Sequence, residues 1–147
     1  MPQRSFSAQI DEWIAETEER IEATIKQSAQ TVIERMQLPV GKGGNMPVDT
    51  GFLRASLQAS IHQPYPANIA NPGVPKDWNQ SETIMAIANL ELGGTIYATY
   101  TAEYAGHVEY GARGRPGRGF VRLAAQQWPQ IVNQTAVELR NRVQGSP

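Results

Sequence analysis

The chain has 147 residues, of which 40% are hydrophobic, and a formal net charge of −1. This length predicts one domain with a modest core, and the small charge excludes an overall field that would draw the chain to nucleic acid or to a membrane. The lack of cysteine excludes disulfides, thiolate nucleophiles and cysteine metal sites. No apolar run approaches the ~20 residues that span a bilayer, so we expect a soluble cytoplasmic product.

The first predicted element is a long amphipathic helix. Apolar side chains recur every three or four residues from Phe6 to Met36, and Ser5 or Ser7 can cap the first turn. The Glu22–Lys26 pair has the favourable spacing for an ion pair within a helix. Some thirty residues at ~1.5 Å each span about 45 Å, which is long for this domain. We therefore expect the stripe to pack partly on its own sheet and partly on a neighbour.

The second region runs from the end of this helix to about residue 80. Pro39 ends the helix, and Asp49 or Thr50 is predicted to cap a short helix through about Ser56. A strand is predicted to start at 58–62. Proline and glycine are frequent in 64–80, which predicts an irregular loop. We expect flexible loops at about 40–47, 64–80 and 112–119.

The third region predicts a hairpin and then two helices. Residues 83–89 and 95–101 read as strands joined by a Gly-Gly turn. Residues 104–110 predict a short helix ended by Gly111, and a stripe from Phe120 to Val143 predicts a final helix in which Pro129 makes a kink or a new first turn. The predicted class is α+β, with a long N-terminal helix, a small antiparallel sheet and a C-terminal helix packed on that sheet. The residues expected in its core are Leu53, Leu57, Val108, Tyr110, Phe120 and Trp128.

Charge is distributed unevenly along the chain. Six acidic residues crowd one part of the first third, at Asp11, Glu12, Glu16, Glu18, Glu19 and Glu22. Six arginines occupy the last quarter, at Arg113, Arg115, Arg118, Arg122, Arg140 and Arg142. These are either ordinary solvated faces or two ends that dock head-to-tail on further copies. The candidate acidic docking face is Glu12, Glu16 and Glu19, and the candidate subunit or channel contacts are Arg113, Arg115, Arg118 and Arg122.

Two short motifs have catalytic or DNA-binding interpretations. Asp49-Thr50-Gly51 matches the aspartic protease triplet, but a single copy would need a symmetric dimer, and a structural role for Asp49 as a helix cap is favoured. Arg113-Gly114-Arg115-Pro116 resembles an AT-hook, which lays arginines into the minor groove. The alternative is a shaped loop whose arginines meet a neighbouring subunit or water. His107 and Glu109, two residues apart, would lie on different faces of a helix, so His62 and His107 are interpreted as ordinary histidines and no metal site is predicted.

Two separated segments together resemble one protein family. They are Val48-Asp49-Thr50-Gly51-x-Leu53-x-x-Ser56 and Tyr104-Ala105-x-x-Val108-Glu109-Tyr110-Gly111, followed after the arginines by Phe120. This order and spacing resemble the neck or tail-completion family of tailed bacteriophages, which contains head–tail joining and Z-like minor tail proteins. The residues that carry the resemblance are Asp49, Thr50, Gly51, Leu53, Tyr104, Val108, Glu109, Tyr110, Gly111 and Phe120.

The resemblance implies an assembly role and no enzymatic activity or cofactor. A member of this family would form part of a homo-oligomeric ring, a hexamer or a multiple of six. That ring would link the head-closing (stopper) protein to the tail terminator protein around the DNA channel. DNA would pass through the lumen without specific binding, and the protein would be found in the virion and, during assembly, in the host cytoplasm. The alternative function is a DNA-binding accessory protein that uses loop 113–119.

Overall fold

The computed structural model describes residues 5–49, 51–66 and 77–144. Thr50 and residues 67–76, on which a predicted cap and part of a predicted loop fall, lie outside the described residues, as does the side chain of Val143. The α+β class is confirmed: a long N-terminal helix and a C-terminal helix accompany a two-stranded antiparallel sheet.

The predicted long helix, α1, spans Phe6–Met36. Its start is capped by Ser5, whose hydroxyl accepts a hydrogen bond from the Ala8 backbone N–H at 3.2 Å. The predicted ion pair joins Lys26 Nζ to Glu22 Oε1 at 2.8 Å. All of its buried residues lie toward its C-terminal end, at Ser28, Ala29, Ile33 and Met36. The helix is therefore built into the domain by its last third.

The chain after α1 folds into a closed loop. A short 3₁₀ turn at Val40–Lys42 is bracketed by two backbone hydrogen bonds, from Val40 N–H to Met46 O at 2.9 Å and from Met46 N–H to Leu38 O at 3.1 Å. Met46 is fully buried. These bonds hold the connector between α1 and the next helix against the body.

The second helix, α2, spans Phe52–Ala55, and the prediction that Asp49 caps it is wrong. The N-cap residue is Gly51, which has a left-handed φ of 83° and makes no side-chain cap hydrogen bond. Glycine adopts this conformation without the steric cost that a Cβ imposes, so the backbone at Gly51 can make the turn that leads into α2. Asp49 is exposed two residues earlier.

The sheet consists of β1, Leu57–Ser60, and β2, Tyr97–Tyr100, paired antiparallel with Leu57 opposite Tyr100. Both strands were predicted, although β1 begins one residue earlier and ends sooner than expected. The predicted partner of β2 is wrong, because residues 83–89 are not a strand. The sheet joins segments that lie forty residues apart in the sequence.

Residues 83–89 fall in a helix, α3, which spans Gln80–Ala88. Thr83 and Ile87 are buried four residues apart, whereas Ile84 and Met85 between them are exposed. That period is helical, and Asn79 Oδ1 supports it by accepting a hydrogen bond from the Ser81 backbone N–H at 3.2 Å. Because this segment is largely apolar on all sides, the helical spacing of its two buried residues was not evident from the sequence.

The predicted short helix, α4, spans Ala105–Tyr110 and ends at Gly111, which has a φ of 93°. The arginine-rich loop that follows contains a hairpin of two short strands, β3 at Gly111–Ala112 and β4 at Arg115–Pro116. This hairpin was not predicted.

Two helices complete the chain: α5 at Arg122–Ala125 and α6 at Trp128–Gln144. Pro129 lies in the first turn of α6, which is one of the two predicted outcomes. The main partner of α6 differs from the expectation of a helix packed on the sheet, because α6 lies along α1. Among the α6 side chains that the structure describes, those of Ile131 and Thr135, four residues apart, are buried.

The core has two adjoining clusters. The first contains Ile33, Met36, Leu57, Ile87 and Ala124. The second contains Met46, Phe52, Leu53, Ala102 and Phe120. Of the predicted core, Leu53, Leu57 and Phe120 are buried, and Val108 and Trp128 are half-buried. The prediction for Tyr110 is wrong: it is 75% exposed, because α4 turns the preceding residue, Glu109, inward.

Candidate functional site

The two sequence segments of interest lie against each other in the fold. The rings of Phe52 in α2 and Tyr104 before α4 stack with centroids 6.3 Å apart. Phe120 meets Tyr100 edge-on at 4.9 Å, a favoured aromatic geometry. Leu53 is buried and Val108 is half-buried in the same cluster. The structure therefore brings most of these separated residues together. We call Phe52, Tyr100, Tyr104 and Phe120 the aromatic cluster.

Glu109 is a buried polar residue next to the aromatic cluster. Its carboxylate accepts a hydrogen bond from the Val121 backbone N–H at 2.8 Å and another from the Arg122 backbone N–H at 2.9 Å. These amides belong to the first turn of α5, so Glu109 caps that helix from another element. The side chain is buried, with 5% exposed. The sequence pattern marked Glu109 but gave no indication of this role.

The arginine hairpin, residues 111–118, follows α4 and lies beside the aromatic cluster. Its two-residue turn is Arg113-Gly114, and both residues have positive φ, 52° and 78°. That is the signature of a turn that matches the twist of paired strands. The hairpin is closed below by the Arg118 N–H, which donates to Val108 O at 2.8 Å. Gly111 has no room for a side chain, since a Cβ there would lie 2.6 Å from Arg115 O.

A surface groove runs between the hairpin and α4. Its volume is ≈ 1090 Å³. Pro47 and Val108 supply an apolar floor, and Arg113, Arg115 and Arg118 line it with exposed guanidinium side chains. We call this the arginine groove. Three of the four arginines predicted as contacts are therefore brought together, whereas Arg122 is exposed at the start of α5.

The N-terminal part of α1 carries a row of exposed apolar side chains. Phe6 is 79% exposed and Trp13 is 63% exposed, and Ile10, Ile14 and Ile21 continue the row. Large apolar side chains exposed side by side along one helix face form a contiguous apolar patch, a feature found at many protein interaction sites. We call Phe6, Ile10, Trp13, Ile14 and Ile21 the free stripe.

The predicted acidic docking face lies on the same helix but on its other side. Glu12, Glu16 and Glu19 are exposed, and their spacing of four and three residues places them together. Glu12 and Glu19 lie about half a turn from the free stripe, whereas Glu16 lies nearer to it, three residues after Trp13. Two other acids, Asp11 and Glu18, lie seven residues apart along one edge of the free stripe. Asp11 and Glu18 therefore form an acidic edge on the side of Ile14 and Ile21, whereas Glu16 and Arg20 border the opposite edge beside Trp13.

Sequence reasoning missed a buried polar network that fixes α1 to the sheet. Gln37, at the end of α1 and 1% exposed, accepts a hydrogen bond on Oε1 from the Tyr100 hydroxyl at 2.6 Å. It donates from Nε2 to Arg54 O at 2.8 Å. The one available signal was a polar residue four positions after Ile33, on a face that is otherwise apolar. Burial raises the pKa of the Tyr100 hydroxyl well above its ordinary value, against a smaller lowering by Arg54, so the phenol remains a donor.

The residues with catalytic interpretations are dispersed. Asp49 is exposed before Gly51, and His62 and His107 are exposed in different parts of the fold. Burial, with a smaller contribution from Asp49, raises the pKa of the Tyr104 hydroxyl. Across residues 5–49, 51–66 and 77–144, no three His, Asp or Glu side chains are grouped to hold a metal ion. None of the helices in that same part of the chain has the length and apolarity to cross a membrane.

Comparison of the chain with protein-family models, with curated proteins and with solved structures finds no match.

Proposed function

We propose that this chain is a structural subunit of the neck or tail-completion ring of a tailed bacteriophage. In this role it links the head-closing protein to the tail terminator around the DNA channel. The observation that carries the proposal is the free stripe, a row of exposed apolar side chains on a helix that the core anchors only by its last third. The resemblance of the segments around Asp49 and Glu109 to that family supplies the biological setting.

The anchored end of α1 makes its exposed half usable as a contact arm. Helix formation is costly only at the first turn, so an α-helix that is fixed at one end extends readily into solvent. Each large apolar side chain of the free stripe contributes about 1.5–3 kcal/mol when it is buried. Five such side chains favour association over exposure to water, as expected of a protein whose work is assembly.

The arginine groove supports the same proposal from another part of the fold. It lies on α4 and the hairpin, whereas the free stripe lies on α1, so the chain carries two unlike contact surfaces. Contacts between unlike surfaces are head-to-tail, and they close into rings when the rotation per subunit permits. A ring around duplex DNA needs no base-specific contacts.

A genetic experiment tests the proposed function. We expect that a nonsense mutation of this gene, in the phage or prophage that encodes it, leaves DNA-filled heads and separate tails that fail to join. Expression of the wild-type chain from a plasmid should restore complete particles. Complete, infectious particles made without the protein would overturn the proposal.

The alternative function, DNA binding by loop 113–119, can be tested separately. An AT-hook is an extended segment, whereas Arg113 and Arg115 lie on either side of a tight hairpin turn. Binding to A·T-rich duplex that weakens steeply with added salt would support this alternative. A mobility-shift assay that shows no complex at low salt would exclude it.

A further inference from the structure

We propose that the free stripe of one copy lies in the arginine groove of the next copy, with Asp11 and Glu18 facing the arginines at its rim. This inference rests on the proposed function only in assuming that the chain associates with itself. It goes further by naming the two surfaces that meet.

The helix side of this contact has an apolar centre and an acidic edge. Trp13 and Ile14 are exposed at the middle of the free stripe. Asp11 and Glu18 lie along one edge, seven residues apart, which is two helical turns or about 10 Å. A surface that receives this helix needs an apolar floor and positive charge along one side.

The arginine groove meets both requirements. Its floor includes Pro47 and Val108, and its rim carries Arg113, Arg115 and Arg118. The volume of ≈ 1090 Å³ slightly exceeds the ~300–1,000 Å³ typical of small-molecule pockets, which leaves room for several side chains. Arginine is suited to this rim because its guanidinium group binds carboxylates in a fixed, two-pronged geometry.

Charge also disfavours an antiparallel pairing of two α1 helices. Two free stripes packed antiparallel would place Asp11 and Glu18 of both helices along the same edge of the interface, and like charges across an interface disfavour association. The arginine groove replaces that repulsion with attraction. The contact is then head-to-tail, and each copy keeps one free surface for the next until the ring closes.

Cysteine cross-linking tests the contact directly, because the natural chain has no cysteine. We would purify Ile14→Cys, in the free stripe, and Ala112→Cys, in the arginine groove, and treat each variant alone and in a mixture with a short bis-maleimide. The expected result is a covalent dimer in the mixture and at most traces with either variant alone. Ala15→Cys, which lies off the free stripe, is the matched control and should give little dimer with Ala112→Cys.

Two results of this experiment would overturn the inference. A dimer formed by Ile14→Cys alone would show that two α1 helices pair with each other. No dimer in the mixture would show that the groove does not receive the helix. Because cross-linking traps even a weak contact, a sample that is monomeric on average still gives an answer.

Charge reversal provides a second, independent measurement. We expect Asp11→Lys/Glu18→Lys to lower the yield of the cross-linked mixture at least tenfold, and Arg115→Glu/Arg118→Glu on the partner to restore it. The control Glu12→Lys/Glu19→Lys makes the same change of charge at the same seven-residue spacing on the opposite face, and we expect it to reduce the yield less than twofold. Equal losses from both pairs would contradict the proposed orientation.

These outcomes separate the contact from the function. If wild-type protein is required to join heads to tails but the cross-link is absent, the neck role stands and the assigned surfaces are wrong. If the cross-link forms but particles are complete without the protein, the contact stands and the neck role is wrong.

Discussion

Gln37 and Arg54 are joined by two reciprocal hydrogen bonds between α1 and α2. The Gln37 side-chain Nε2 donates to the Arg54 backbone carbonyl at 2.8 Å, and the Arg54 Nε donates to the Gln37 backbone carbonyl at 2.9 Å. The Arg54 guanidinium also lies 5.4 Å from the centre of the Trp78 ring. The C-terminal end of α1 is thereby fixed to the domain, which sets the direction of its exposed half.

Removing the Gln37 side-chain amide should destabilise the fold. We expect Gln37→Met to lower the free energy of unfolding by about 2–3 kcal/mol, since it leaves the Arg54 carbonyl and the Tyr100 hydroxyl buried without this partner. Urea denaturation followed by circular dichroism measures the change, with the exposed Gln63→Met as control. Adding Tyr100→Phe should cost less than the two separate losses combined, because the hydroxyl is then also absent. Strict additivity would contradict the network.

The buried Tyr100 hydroxyl predicts a stability that depends on pH in alkali. Its pKa is raised above the ordinary 10.0 by burial, so the native protein keeps the phenolic proton at a pH where the unfolded chain releases it. The stabilisation is complete below pH 10.0 and is lost as the pH rises above it, by up to about 1.4 kcal/mol per pH unit. Urea midpoints between about pH 9 and about pH 11.5 should show a shallower decline in Tyr100→Phe. An unchanged slope would contradict the burial of this hydroxyl.

Glu109 should stabilise the start of α5. Glu109→Gln replaces one carboxylate oxygen with a donor that faces a backbone N–H, so we expect a loss of about 1–2 kcal/mol. Hydrogen exchange at the Val121 and Arg122 amides should become faster than in the wild type. The exposed Glu103→Gln makes the same chemical change nearby and should leave both measurements within error. Similar effects from the two variants would refute a specific cap.

Elements whose apolar residues visibly follow one face in the sequence were predictable. Elements whose burial or pairing is decided by tertiary contacts were not. The stripe of α1 and the stop at Gly111 follow from local chemistry and are confirmed. The segment 83–89 was misread because Ile84 and Met85 are apolar yet exposed, which hides the helical spacing of Thr83 and Ile87. The true partner of β2 lies forty residues away, and no local signal specifies it.

The candidate site was predictable in its residues but not in its geometry. The arginines were evident from composition, whereas their presentation on a hairpin depends on two positive φ values at Arg113 and Gly114. Glu109 was marked by its motif, but its partner amides lie twelve and thirteen residues further along the chain. Gln37 was not found, because its partners belong to α2 and β2.

Burial separates two aromatic residues that the sequence placed together in the core. Phe120 is 2% exposed, so Phe120→Ala should cost about 3–5 kcal/mol. Trp128 is only half-buried, and we expect Trp128→Ala to cost about 2 kcal/mol. Urea unfolding monitored by circular dichroism avoids the loss of a tryptophan signal. A larger loss of unfolding free energy from Trp128→Ala than from Phe120→Ala would mean that the start of α6 is better packed than the aromatic cluster.

The free stripe should matter for association and not for folding. Trp13 and Ile14 are 63% and 43% exposed in the single chain, so Trp13→Ser/Ile14→Ser should change the free energy of unfolding of dilute protein by less than about 0.5 kcal/mol. The same variant should lose self-association in light scattering and should fail to restore particles in the genetic test. Leu92→Ser, which removes an apolar side chain of 46% exposure from another part of the surface, is the control and should leave association intact. A variant that associates normally, or that unfolds well below the wild type, would show that this face of α1 serves the fold of one chain and not its assembly.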